Sequence, residues 1–175
     1  MDFRAWPDFD REMNKGKPVR VFDFVNKPYE RVHSLLEWNA QTVFRNATSA
    51  AARRAERVAS ALHVNIAGFE IGKDVEILVK SVERSRWTET VPETTRIKLE
   101  WKASRIPRLF PLMTAEMTVF PLTPNETQLD LVGEYEPPLG AIGGVIDAAI
   151  GHRIAEASVH QFVSDVAAYL TTAID

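Results

Sequence analysis

Thr127-Gln128-Leu129-Asp130-Leu131-Val132-Gly133-Glu134-Tyr135 alternates apolar and polar side chains, Glu136-Pro137-Pro138-Leu139-Gly140 makes a stiff corner, and a helical pattern then runs to about Thr171. Leu129, Leu131, Gly133 and Tyr135 share one face of the strand, as expected where one side of a sheet is buried. A helix of the length that follows spans roughly 50 Å at 1.5 Å per residue, so it must pack along an entire sheet. The sheet that precedes it is the natural partner. Strand, corner and helix together predict a sheet gripping a helix, with a pocket between the two.

Upstream, the elements arrive in a definite order. The first 17 residues mix acids, bases, Pro7 and Gly16 without a period and read as a tail or strap. Residues 18–175 read as one domain. Val19-Arg20-Val21-Phe22-Asp23-Phe24-Val25 has the β-branched and aromatic content of a strand, and Asn26 with Pro28 signals the start of a helix. Val32, Leu35 and Leu36 stripe that helix, which fades near Trp38-Asn39, and a second helix is expected from about Ala47 to Leu62. The period then falls from 3.6 to 2. Val64, Ile66, Phe69 and Ile71 lead through Gly72-Lys73-Asp74 to Val75, Ile77 and Val79, a predicted hairpin. Ile97-Lys98-Leu99-Glu100-Trp101-Lys102-Ala103 puts every charge on one face, Met113 to Phe120 is a further strand, and Pro121-Leu122-Thr123-Pro124-Asn125 is a turn. Consecutive hairpins mean an antiparallel sheet, and the whole order means α+β.

Composition narrows the function classes. With 175 residues, 45% hydrophobic and 26% charged, the chain supports one full core. A net charge of -3 and a pI near 5.8 supply no basic field for a phosphate backbone, so nucleic acid is not an expected partner. There is no cysteine, which removes disulfides and thiolate metal sites. The start lacks a signal-peptide core, and the most apolar run, Leu139 to Ile150, is too short to cross a bilayer and contains Asp147. A cytoplasmic protein without membrane insertion is expected.

This order of elements, over about Val19 to Leu170, resembles the START-like superfamily, also called SRPBCC or helix-grip, which includes polyketide cyclases and lipid-transfer proteins. The local features that carry the resemblance are Leu109-Phe110-Pro111, the stretch from Thr127 to Gly140, and Gly151-His152-Arg153-Ile154-Ala155 within the helix. They are similar to an uncharacterised bacterial subgroup. The resemblance implies a curved antiparallel sheet wrapped around the terminal helix, two helices between the first and second strands, and an apolar cavity open at one end. It does not imply one function, because members of one fold carry unrelated activities.

Within the terminal helix, Ile142, Val145, Ile146, Ala149 and Ile150 share one face, and Ala155, Val159, Phe162, Val163, Val166 and Leu170 share another. The seam turns near Gly151, with the first half lining the cavity mouth, meeting a second subunit in a homodimer, or simply buried on several sides. His152, Arg153 and Glu156 fall beside these seams, as ligand contacts or as halves of internal pairs. Trp101, Met117 and Tyr135 complete the candidate ligand-binding set with Ile142 and Ile146, and ordinary core is the alternative for Trp101 and Met117. His152, Glu156 and His160 at successive fours lack a fourth ligand, so no metal is expected. No Ser lies in a nucleophile elbow and no Cys replaces it. Acid and base candidates exist in Glu116, Glu134, Asp147, His152 and Glu156, without a motif to pair them. The sequence therefore favours binding or carriage of a small hydrophobic or amphipathic ligand, lipid- or polyketide-like, without a cofactor. A cofactor-independent cyclase or dehydratase is the alternative, and a protein-interaction module with a vestigial cavity is the third reading.

Overall fold

The computed structural model describes residues 17–61, 75–86, 88, 92–103, 113–135 and 148–174. Five strands, β1 (Lys17–Val25), β2 (Val75–Ser85), β3 (Thr94–Ala103), β4 (Met113–Thr123) and β5 (Glu126–Tyr135), form one antiparallel sheet in the order β1-β5-β4-β3-β2. Among the described residues two helices, α1 (Tyr29–Ala61) after the first strand and α2 (Ala148–Ala173) toward the end of the chain, pack on one face of it. Residues 1–16 of the predicted tail, the first hairpin strand from Val64 to Ile71, Leu109-Phe110-Pro111, the Glu136 to Gly140 corner and the helical pattern up to Asp147 lie outside the described residues, whereas Lys17, expected in the tail, opens β1 by pairing with Tyr135.

The two helices expected between the first and second strands run together as one helix of 33 residues. Trp38 and Asn39 suggest a break in the sequence, but both are exposed, and the buried stripe passes on the other side through Leu36, Ala40, Val43, Phe44, Ala47 and Ala51. That spacing of three and four is an unbroken helical face. The helix starts at Pro28, whose carbonyl accepts from the amides of Arg31 and Val32. The Thr127 hydroxyl fastens this corner to β5 by donating to the Lys27 carbonyl at 2.8 Å.

The odd-numbered residues of β3, β4 and β5 face the helices. Ile97, Leu99, Trp101, Ala115, Met117, Val119, Leu129 and Leu131 are all buried. Facing them, α2 buries Val159, Phe162, Val163, Val166 and Leu170, the seam read from the sequence. The strands β4 and β5 approach closely at Gly133, opposite Ala115: a Cβ built there would sit 2.8 Å from both the Ala115 Cβ and the Thr114 carbonyl. Normal cross-strand Cβ spacing is about 4.5–5.5 Å, so only glycine permits this approach.

Both described edges of the sheet are blunted. On β2, the Gln41 side chain of α1 acts as a substitute peptide group, its amide donating to the Ile77 carbonyl at 2.8 Å and its oxygen accepting from the Val79 amide at 3.3 Å. On β1, Pro18 has no amide proton and the Phe24 amide is taken by the Asp23 carboxylate at 2.8 Å. Such devices discourage strands from adding to an edge.

Candidate functional site

The concave face supplies the first set of site residues. Trp101 lies on β3 and Met117 on β4, and both point inward. Trp101 donates its indole N–H to the Thr48 hydroxyl of α1 at 3.1 Å and meets Phe162 of α2 edge to face, with ring centres 5.1 Å apart. Phe162 in turn stacks on Phe44 at 5.9 Å. This aromatic cluster joins the sheet to both helices, and a buried indole needs such a partner for its N–H. Tyr135 ends β5, paired in the ladders with Lys17 and Met113. His152 lies within α2, and the side chains of Tyr135 and His152, like Ile142 and Ile146 altogether, are outside what is described. Arg153 and Glu156 are exposed on α2. The structure therefore brings Trp101 and Met117 to one wall and sets Arg153 and Glu156 toward solvent.

A second constellation is not legible in the sequence, where nothing assigns His33 a role. His33, Tyr29 and Thr95 are buried at the start of α1 against β3. The Thr95 hydroxyl lies 2.7 Å from the Tyr29 hydroxyl and 2.8 Å from His33 Nδ1, and the two rings stack at 5.9 Å. One polarity accommodates both short contacts, with Tyr29 donating to Thr95 and Thr95 donating to Nδ1, which leaves Nε2 as the ring's N–H, 3.7 Å from Glu37 Oε2. Arg84 covers this cluster, 5.8 Å from the Tyr29 ring centre and paired with Glu30 at 2.5 Å and Glu93 at 2.6 Å. Burial raises the Tyr29 phenol above its ordinary range. The partners in this cluster stand 62 and 66 residues apart in the chain, a separation no local pattern announces.

Of the predicted acid and base candidates, Glu116 is buried on the convex face, between Lys98 and Val132 in the ladder. Burial pushes its carboxyl above the usual range, opposed by the charges of Arg96 and Lys98. Glu116 and Tyr29 thus titrate on opposite faces of the sheet and cannot converge on one substrate. Among the described residues no group of three or more His, Cys, Asp or Glu could hold a metal ion, and no helix is long and apolar enough to cross a membrane.

A third feature lies where β1, α1 and α2 meet. An open cleft of about 430 Å³ is lined by Val21, Phe22 and Asp23 of β1, Arg54 of α1, and Ala157, His160, Gln161 and Ser164 of α2.

No protein-family model matches the sequence, and no curated protein matches it. Solved structures do resemble the fold. The protein TTHA0849 from Thermus thermophilus is 15% identical with a TM-score of 0.50, covering 90% of this chain and 99% of its own. A START superfamily protein from Mycobacterium smegmatis is 10% identical (TM-score 0.44, 90% and 99% covered). The Zhui aromatase/cyclase from Streptomyces sp. R1128 is 13% identical (TM-score 0.42, 88% and 93% covered). At these identities the likeness speaks for architecture alone: the antiparallel sheet, the helix after its first strand and the terminal helix make this an α+β chain with the helix-grip fold.

Proposed function

We propose that the protein binds or carries a small hydrophobic or amphipathic molecule, lipid- or polyketide-like, between the concave face of the sheet and the terminal helix. The observation that supports this reading is the wall itself: from Ile77 through Leu99 and Met117 to Leu131, the described inner positions at the centre of the sheet carry no charge. Such a wall fits the largely apolar lining of small-molecule sites. Trp101, Met117 and Tyr135 would form its sheet side, Ile142, Ile146 and His152 its helix side, with Arg153 and Glu156 at a solvent-facing rim. The small pair Ala115 and Gly133 keeps bulk off the inner face between β4 and β5.

A cyclase or dehydratase would need an acid and a base converging on the ligand. The buried Tyr29 hydroxyl and His33 Nδ1 are instead engaged by Thr95, which supports carriage over catalysis. Titration with an environment-sensitive hydrophobic dye tests the proposal. One saturable site per chain, emptied by competing fatty acids, is expected. Dye uptake that never saturates and resists competition would refute it.

A further inference from the structure

We propose that the cleft between the β1 edge and α2 is a second binding site, separate from the grip, for a small organic monoanion with a compact apolar body. It goes beyond the reading above and does not depend on it. Ala157, His160 and Ser164 recur along α2 on a stripe beside the buried Val159–Phe162–Val163 seam, so the cleft lies outside the sheet–helix interior.

The chemistry of its walls selects the ligand. Arg54 and His160 are exposed in the cleft, and neither has a hydrogen bond or ion pair among the described residues. A guanidinium without a partner among the described residues offers a rigid fork of donors that matches a carboxylate, and the imidazole and the Ser164 hydroxyl add further hydrogen-bonding groups. Asp23 of β1 also lines the cleft, its carboxylate accepting from the Phe24 amide at 2.8 Å. One fixed negative charge in the same lining as Arg54 suits a monoanion over a dianion. Val21 and Ala157 supply the apolar part of the lining, where a ligand's apolar body can rest. A volume of about 430 Å³ is of small-molecule size. An extended peptide adding to β1 fits less well, because Pro18 offers no amide proton and the Phe24 amide is already used.

The probe is benzoate, titrated into the isotope-labelled full chain at low salt and followed by amide NMR, with phenyl phosphate and benzyl alcohol as comparators. Benzoate should shift Val21, His160 and Ser164 saturably with a Kd of about 1 mM, the range a ligand of this size reaches. Arg54→Gln, an exposed change that leaves melting intact, should weaken binding about tenfold, and Ala157→Leu should block it by bulk. The proposal is overturned if benzyl alcohol binds as well as benzoate, if phenyl phosphate binds more tightly, or if Arg54→Gln binds unchanged. Shifts confined to Leu131 and Val163 would place the probe in the grip and overturn this site while supporting the first. Failure of both variants to weaken benzoate with the grip still loading its dye would sink this proposal alone.

Discussion

Thr95→Val replaces a hydroxyl by a methyl of nearly the same shape, in a residue with no exposed surface. In the wild type that hydroxyl joins the Tyr29 hydroxyl at 2.7 Å to His33 Nδ1 at 2.8 Å, and both partners are themselves buried. The variant therefore strands two polar groups out of reach of water. Each buried unpaired group costs about 1–3 kcal/mol, and some relaxation toward Glu37 and Arg84 reduces the sum, so the expected loss is about 2–4 kcal/mol. For a chain of this size each kcal/mol is worth roughly 2–4 °C in Tm, giving a fall of about 5–15 °C. Urea unfolding followed by circular dichroism measures it. Tyr29→Phe in the same background removes one stranded group, so the double variant should lose less than the two single losses added, with a coupling of about 0.5–3 kcal/mol. A Thr95→Val stability within about 0.5 kcal/mol of wild type, or strictly additive losses, would refute the reading of this cluster as a closed hydrogen-bonded chain.

Other consequences are smaller in scope. Gly133→Ala should cost about 1–3 kcal/mol by overpacking against Ala115 and the Thr114 carbonyl, and adding Ala115→Gly should restore only part of it because the carbonyl contact remains; thermal melts of both variants check this. Glu116→Gln should stabilise the fold at pH 7 and lose that advantage toward about pH 4. Burial raises the carboxyl in the folded state, so its contribution is intact at low pH, where folded and unfolded chains both hold the proton, and is lost as pH rises through the folded value. Paired melts across that range test the sign. Gln41→Leu should cost about 1–3 kcal/mol by stripping the Ile77 carbonyl and Val79 amide of their partners, and hydrogen exchange at Val79 should speed up with it.

Much of the architecture is local enough to be read from sequence. Period two finds β3 and β5, because one face of each is buried and the other wet, and period 3.6 finds the Val159 to Leu170 seam of α2. The continuity of α1 escapes this reading because Trp38 and Asn39 interrupt the apolar composition while sitting on the solvent side, and alanines carry the buried stripe across the gap. Trp101 and Met117 are identifiable as inward-facing from strand parity. The Tyr29–Thr95–His33 chain is not, since it depends on the N-terminus of α1 landing on the start of β3. The cleft is likewise assembled from three elements, so that Arg54 reads in sequence as one charge on a solvated helix face. The burial of Glu116 runs against its parity: an outward-facing acid on a charged strand face gives no sign of being enclosed.

Native mass spectrometry of freshly purified protein, followed by extraction and identification of whatever travels with it, tests ligand carriage most directly. The account predicts a stoichiometric apolar or amphipathic adduct that is released on unfolding and restored on adding the extract back. A clean mass of the bare chain that also stays unliganded across a broad panel of lipids and polyketide-like molecules would contradict carriage, and would move a protein-interaction role to first place.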